Sequence, residues 1–432
     1  MYSKNKLIEK IKKHFQNRFL KNVFTLLSGT AIGQLVPILI SPILTRLYTP
    51  DEIGIYSIFF ASSNILALVA SGRFEFAILI PKQRKEATEI VQASFIFLIL
   101  FLLLFTCLFF LFKNQIAKFI GLSSVENTVL LIPITSFLIG LFQILSYWSN
   151  KNDNYKTISR GKIIQGVIIG VIQVALAVLN SFALVIGRAM ALLASDLYLL
   201  SSLKKTLSRP KGSDIKGALK KVLRKYKVYP MVTMPNALLN SVSNNLPNYM
   251  LESFYSLSQT GYYSWAVRLV QGPMGMMTSS VQQVFFKKAS EAYNNNESIF
   301  SLTIKMYRNL FLIGIVPYTL LFLFSPQIFE VIFGSNWRTA GEYTRYLTPW
   351  LFMVFLNSPL NGLMLILNKQ KEYFVYEILL FFLRGAALFA GYLLMKEAQY
   401  SVIFYGLVGL LFNIYLFIWT LKVCKGERVI EE

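Results

Sequence analysis

Apolar runs of about 20 residues recur from one end of this chain to the other, each long enough to cross roughly 30 Å of hydrocarbon. That recurrence leaves little room for a globular enzyme with an anchor. The runs lie at about 22–46, 53–80, 89–112, 128–149, 160–179, 182–203, 226–251, 261–286, 301–324, 345–367, 374–395 and 401–421. Composition agrees: the 432 residues are 55% hydrophobic and 15% charged, where soluble domains are about a quarter charged. The expected fold is an all-α inner-membrane protein of about twelve transmembrane helices. The first run begins near Val23 and no small-residue cleavage site follows it, so it is expected to be a retained span and not a removed signal peptide.

Charge sets the expected orientation. With a cytoplasmic N-terminus, the cytoplasmic segments are 1–21, 81–88, 150–159, 204–225, 287–300, 368–373 and 422–432, and nearly all loop Lys and Arg fall in or beside them. The opposite loops hold Lys113, Lys118, Arg338 and Lys396, with Arg345 at a boundary. This is the positive-inside asymmetry. It accounts for the net charge of +22 without a nucleic-acid partner, attraction to anionic lipid adding to it.

The chain also repeats itself. LTRLYTPDEIGIYS at 44–57 and LESFYSLSQTGYYS at 251–264 align at a constant offset of 207: Tyr48 on Tyr255, Gly54 on Gly261, Tyr56 on Tyr263, Ser57 on Ser264. The same offset aligns Ile8 with Ile215 and Lys13 with Lys220. Ile8, Ile11, Phe15 and Phe19 recur at helical spacing among lysines, as do Ile215, Leu219, Val222 and Tyr226. Both stretches read as amphipathic helices on the cytoplasmic membrane face. The expected domains are an N-terminal six-helix lobe with its leader helix at 1–203, a basic linker and amphipathic helix at 204–225, and a C-terminal six-helix lobe at 226–432. An even span count gives the lobes the same orientation, a parallel repeat with a site between its halves. Each repeated junction is an outside turn between two spans. Asp51 and Glu52 suit a helix N-terminus, and in the second copy Ser258 and Gln259 are expected to cap instead.

Charged groups inside spans are costly and usually functional. The basic ones are Arg73, Arg188, Arg268 and Arg384, with Arg46 near a span end; the acids are Glu75, Asp196 and Glu377. On continuous helices Arg73 and Glu75 point to different faces, while Arg188 and Asp196 are about 12 Å apart and Glu377 and Arg384 about 10 Å apart along the axis. Interhelical pairing is one explanation. The other is an anion site, because forked guanidinium donors suit phosphate oxygens; a pyrophosphate or an acidic sugar would fit. In span 7, Asn236, Asn240, Asn244 and Asn248 recur every four residues, one stripe on a helix. Pro235 and Pro247 allow bends. The equivalent positions in span 1 are Gly29, Gly33, Pro37 and Ser41. The stripe is either a helix-packing seam or the wall of a wet cavity whose amides bond sugar hydroxyls.

Other chemistry has little to stand on. Cys107 and Cys424 lack metal spacing and His14 is the single histidine. No Walker, HExxH, GxSxG or CxxC sequence occurs, and no outside loop exceeds about 20 residues, too short for an extracytoplasmic catalytic domain. No metal, no cofactor and no enzyme activity are expected.

LSGTAIGQLVPILISPILTRLYTPDEIGIYS, followed by SGRFEFAILIPK with Arg73, Phe74 and Glu75, resembles the opening of Wzx-type oligosaccharide flippases of the polysaccharide-export group. These belong to the multidrug/oligosaccharidyl-lipid/polysaccharide superfamily, with the MurJ lipid II flippases and the MATE exporters. The likeness is close over about 20–95; the span count and two-lobed plan extend it to the whole chain. It implies two pseudo-symmetric six-helix bundles around a central, often cationic cavity. It implies an undecaprenyl-pyrophosphate-linked oligosaccharide moved from the cytoplasmic to the outer face for O-antigen, capsule or similar polymer assembly. Alternating access coupled to H+ or Na+ is the implied mechanism. The bilayer, a polysaccharide polymerase and a chain-length regulator are the implied partners. The residues read as binding pyrophosphate are Arg73 first, then Arg268, Arg384 and Arg188. The four stripe asparagines would meet the glycan, and Glu75, Asp196 and Glu377 would couple ions. The alternative is a cation-coupled multidrug exporter of the same superfamily, against which the surplus of arginine over acid speaks. A membrane glycosyltransferase or polymerase would need larger surface loops, and a structural scaffold would leave the arginines without a purpose.

Overall fold

The computed structural model describes residues 29–203, 215–295, 297–360, 362–367 and 369–426. Among the described residues there are helices and turns and no strand. The chain opens with α1 (Gly29–Leu47) and α2 (Pro50–Ala70). Next come α3 (Arg84–Leu111), the short α4 (Lys113–Ile120) and α5 (Glu126–Val129), then α6 (Leu131–Lys151), α7 (Tyr155–Ala175) and α8 (Ser181–Leu203). Beyond the linker stand α9 (Ile215–Lys225), α10 (Met234–Phe254), α11 (Leu257–Asn294) and α12 (Ile299–Phe333). The last four are α13 (Arg338–Asn357), the one-turn α14 (Leu363–Ile366), α15 (Gln370–Met395) and α16 (Ala398–Gly426).

Nine described helices are long and apolar enough to cross a membrane: α1, α2, α3, α6, α7, α8, α12, α15 and α16. Three more, α10, α11 and α13, have the length, at 21, 38 and 20 residues, but carry more polar side chains. Together they stand where the twelve apolar runs place twelve spans. Two runs leave the α-helix ten residues before their apolar limits. The run to 80 leaves the α-helix at Ala70, because Gly72 and Arg73 take left-handed backbone (φ 56° and 60°) and the chain restarts as a 3-10 turn, Phe74–Leu79. The run to 367 leaves it at Asn357 for a 3-10 turn, Ser358–Leu360, before α14.

The leader helix expected at 1–21, with Ile8, Ile11, Phe15, Phe19 and His14, lies outside the described residues, as does 204–214 of the linker. The second amphipathic helix is described, as α9. Val222 and Tyr226 on its apolar side are buried among side chains of α3 and the Phe74–Leu79 turn, so that side packs on protein and not on lipid alone. Lys225 Nζ donates to Glu86 Oε1 at 2.6 Å, and Tyr226 Oη donates to the same oxygen at 3.2 Å. The Glu86 hydrogen bond raises the Lys225 pKa above its ordinary value, which keeps the ammonium charged.

By contact, the chain forms two compact units. One takes the described residues up to Ile40 with Phe59–Leu238; the other takes Ser41–Ile58 with the residues from Leu239 onward. The repeated junction at 41–58 thus groups with the second unit, a division different from one at 203 and 226. In the first unit the core is built on Phe74, Ile90, Leu98, Leu145, Trp148 and Leu199. There α1 and α7 touch by backbone: a Cβ on Gly33 would meet the Lys162 carbonyl oxygen at 2.5 Å, and one on Gly166 the Gly33 carbonyl oxygen at 2.4 Å. Small residues are what let two membrane helices approach this closely.

In the second unit the two junctions meet each other. A capping box starts α2: the Thr49 N–H donates to Glu52 Oε2 at 2.7 Å, and the Glu52 N–H to Thr49 Oγ1 at 3.4 Å. The cap of α11 is Ser256, which accepts from the Gln259 N–H at 3.4 Å. Ser258 does not cap. Its hydroxyl donates to Asp51 at 2.7 Å. A Cβ on Gly54 would lie 2.1 Å from the Leu257 carbonyl oxygen, and one on Gly261 2.0 Å from that of Pro50. Ser57 Oγ and Ser264 Oγ are 2.6 Å apart. Positions 51 and 258, 54 and 261, and 57 and 264 are all repeat equivalents, so the contact is self-complementary, as at a two-fold interface. The junction recurs in the sequence because each copy is the surface the other packs on.

Candidate functional site

A cavity of about 410 Å³ lies within the second unit, lined from α10, α11, α13, α15 and α16. From α10, Asn244 Nδ2 donates to Asn240 Oδ1 at 3.0 Å, and Asn240 Nδ2 donates to Glu377 Oε2 on α15 at 3.0 Å. The four-residue spacing puts both amides on one wall, and they form a chain ending on a carboxylate. Two turns further along α15, Arg384 lines the same cavity. Its Cζ lies 5.1 Å from the ring centroid of Trp350 on α13 and 5.1 Å from that of Tyr405 on α16. Arg384 is 5% exposed. It has no ion-pair partner among the described residues, and its Nε makes no hydrogen bond there. A desolvated guanidinium over an aromatic face gains about 2 kcal/mol. The two rings meet edge to face, 5.2 Å between centroids, and the guanidinium rests against both, leaving N–H groups for an anionic ligand.

Behind this wall runs a buried polar network that the sequence did not point to. Tyr307 Oη donates to Asn357 Oδ1 at 3.0 Å, and Asn357 Nδ2 donates to Asn413 at 2.9 Å (carbonyl) and 3.2 Å (Oδ1). Asn357 and Asn413 also line the cavity. A satisfied buried network of this kind fixes the positions of the helices that carry it.

The remaining stripe asparagines are placed elsewhere. Asn248 is buried where α10 packs on α11; its carbonyl accepts from Thr260 Oγ1 at 3.1 Å and its amide donates to Asn245 at 3.4 Å. Asn236 is exposed and belongs to the first unit. So the stripe divides between cavity wall and packing seam.

The other intramembrane arginines also sit against aromatic rings. Arg268 on α11 is exposed, with its Cζ 5.7 Å from the rings of Tyr56 and Trp265. Arg188 on α8 is half-buried, 5.0 Å from Phe60. Arg73 is 4.9 Å from Phe76. Arg46 is exposed. One expectation is corrected here. A continuous helix would turn Arg73 and Glu75 to different faces, but the left-handed turn at Gly72 and Arg73 breaks the helix, and Arg73 Nη1 bonds Glu75 Oε1 at 3.4 Å. Glu75 is fully buried and its second oxygen makes no hydrogen bond among the described residues. Asp196, 1% exposed, has neither carboxylate oxygen hydrogen-bonded among them. No cluster of three metal-ligating side chains occurs among the described residues.

The family model described as "Polysaccharide biosynthesis protein" matches residues 43–342. The chain belongs to this family. Its match begins just before the first junction and ends within α13, so it spans both copies of the repeat. Solved structures agree on the fold. A lipid II flippase MurJ in an inward closed conformation is 14% identical, with a TM-score of 0.74, covering 93% of this chain and 87% of its own. An inward-facing multidrug resistance MATE family transporter is 12% identical, with a TM-score of 0.64, covering 94% and 96%. A transporter from Pyrococcus furiosus whose binding pocket is described as reversed in polarity is 12% identical, with a TM-score of 0.63, covering 94% and 96%. No curated protein sequence matches the chain. The polysaccharide biosynthesis family agrees with the polysaccharide-export resemblance, and the all-helical fold is shared with these solved flippase and transporter structures. The protein is a multi-pass membrane protein of the polysaccharide biosynthesis family with the fold of these solved transporters.

Proposed function

We propose that the protein flips an undecaprenyl-pyrophosphate-linked oligosaccharide from the cytoplasmic to the outer face of the inner membrane by alternating access, for O-antigen or capsule assembly. The observation that carries this is Arg384, packed against two rings in the cavity that also holds the Asn244–Asn240–Glu377 chain. A guanidinium edge takes phosphate oxygens. Amides and a carboxylate take vicinal hydroxyls, as both donor and acceptor. One cavity thus offers groups for both parts of a sugar phosphate. The topology follows from the positive-inside charge, with both termini cytoplasmic. Arg73, Arg268 and Arg188 contribute further anion contacts, and Asp196, Glu75 and Glu377 are the groups for H+ or Na+ coupling. Of these, Asp196 has the best support, since a buried carboxylate with no donor is costly unless it binds a proton or a cation.

The second reading, a cation-coupled multidrug exporter, draws on the MATE fold and on the aromatic lining of the cavity. Binding separates the two. In native mass spectrometry, undecaprenyl pyrophosphate is expected to remain bound in competition with tetraphenylphosphonium. Retention of the lipophilic cation alone would favour the exporter.

Arg73 can be replaced without straining its backbone. Its backbone is left-handed, which glycine adopts without strain, so Arg73→Gly removes the guanidinium and keeps the turn. Transport is expected to fall about tenfold or more, as for loss of a charge-assisted hydrogen bond of about 1.5–3 kcal/mol; because Arg73→Gly also leaves the buried Glu75 carboxylate without its partner, the comparison is made with Arg73→Gly, Glu75→Gln, which removes both charges. Wild-type transport by this variant would remove Arg73 from the pathway.

A further inference from the structure

A second opening in the same unit lies where three of its turns converge. It is a polar basin of about 620 Å³, formed by the α10–α11 junction, the start of α13 and the turn between α15 and α16. That size is usual for small-molecule sites, about 300–1,000 Å³. In the topology proposed above, all three segments lie on the outer side. The basin stands on the same helix faces as the cavity. Gln259 and Tyr263 are one turn apart on α11, Tyr343 and Trp350 two turns apart on α13, and Ala398 and Tyr405 two turns apart on α16; the first of each pair lines the basin and the second the cavity.

The walls of the basin are tied together. Tyr255 Oη donates to the Glu397 carbonyl at 3.2 Å and lies 2.8 Å from Ser401 Oγ, which joins the α10–α11 junction to the α15–α16 turn. Tyr343 Oη donates to Gln259 Oε1, which joins α13 to α11 and leaves the Gln259 amide N–H groups for a ligand. The Phe254 ring is stacked on Tyr392 at 4.6 Å between centroids, an aromatic platform in the basin wall. The Glu397 carboxylate accepts from Gln399, and the Glu342 carboxylate lies 3.9 Å from Arg338 Nε. Lys396 also lines the basin and holds left-handed backbone (φ 57°) at the end of α15. Glycine is the usual residue in that place, so the lysine side chain is kept there against backbone strain.

We propose that the basin is a second sugar site, which holds the glycan at the outer surface after it leaves the cavity. The proposal rests on the flippase function above for the identity of the glycan. Charge decides the occupant. Two carboxylates, one of them beside Arg338, stand against one lysine, which is too little of either sign for a bare cation or a phosphate. Among the described residues no third metal-ligating side chain joins the carboxylates. The basin is instead rich in groups that donate and accept hydrogen bonds beside a ring face. That combination suits a pyranose, whose hydroxyls do both and whose C–H face packs on an aromatic ring. A separate outer site makes release of the glycan a step distinct from its passage.

The test is saturation-transfer NMR on the full-length protein in nanodiscs. The probe is the repeat-unit oligosaccharide of the host pathway, cleaved from its lipid pyrophosphate. The free oligosaccharide is expected to bind, and Glu342→Ala with Glu397→Ala to weaken binding about tenfold or more. Lys396→Gly relaxes the backbone; it should weaken binding too, with a melting temperature at or above that of wild type. Arg384→Gln, in the cavity, should leave this binding unchanged. Binding that survives the basin substitutions, or that falls with Arg384→Gln instead, would place the free glycan elsewhere and overturn the basin. Binding of Ca2+ or a lysine-rich peptide at these residues, with none of the oligosaccharide, would assign the basin to a cationic partner and overturn the sugar site. Transport in proteoliposomes separates this proposal from the flippase. If the lipid-linked oligosaccharide is moved while the free glycan does not bind, the flippase stands and the basin fails. If the free glycan binds at the basin while the lipid-linked form is not moved, the sugar site stands and the flippase fails.

Discussion

Arg384→Gln is expected to lower transport by roughly two to three orders of magnitude, while Arg384→Lys recovers less than about tenfold of the loss. Truncating one member of a buried, hydrogen-bonded charge contact costs about 2–5 kcal/mol, and each 1.4 kcal/mol is a factor of about ten. Lysine restores the charge but not the planar fork, and an ammonium does not pack against Trp350 and Tyr405 as a guanidinium does. The variants are compared by proteoliposome transport, with melting temperature in detergent as the folding control. Arg384 is also a packing element against two rings, so a loss of transport counts only where the melting temperature holds. Transport by a folded Arg384→Gln protein at the wild-type rate would take the pyrophosphate out of this cavity.

The second large effect is expected at the seam between the repeated junctions. Ser57 Oγ and Ser264 Oγ are 2.6 Å apart, so cysteines in these places bring their sulfurs close to the 2.05 Å of a disulfide bond. The alternating access proposed above requires the two copies to part. Ser57→Cys with Ser264→Cys, in a Cys107→Ser background, is therefore expected to transport when reduced and to stop when oxidised, with recovery on adding reductant. Each single cysteine should transport under both conditions. Full activity of the oxidised, cross-linked protein would show that this seam stays closed through the cycle.

How much of this could be read before the structure follows from what a sequence pattern contains. Nine of the spanning helices were legible because length and apolarity alone define a span; α10, α11 and α13 carry more polar side chains and were legible only as weaker apolar runs. The ends at Ala70 and Asn357 were not, because apolar side chains continue beyond them while the backbone turns, at Gly72 and Arg73 in the first case. Asn240 and Asn244 were legible from their spacing. That spacing names a face and not what the face meets, which is why Asn248 shares the stripe yet lies in the α10–α11 seam. Glu377 and Arg384 stood out as charges in an apolar run. Their aromatic cradle did not, since Trp350 and Tyr405 look like ordinary membrane side chains and come from two other helices. The repeat was visible at offset 207, but only the close approach of Gly54 and Gly261 explains why both junctions keep a glycine.

The central claim is that this chain moves a pyrophosphate-linked oligosaccharide across a bilayer, and the direct measurement is that movement. Proteoliposomes would carry the undecaprenyl-pyrophosphate oligosaccharide of the host pathway, and a membrane-impermeant glycosidase would report its arrival at the outer leaflet. Wild-type protein is expected to accelerate exposure well above protein-free liposomes, and Arg384→Gln to return it close to that background. Folded wild-type protein that leaves exposure at the protein-free rate, while expelling a lipophilic cation from the same vesicles, would contradict the flippase and establish the exporter.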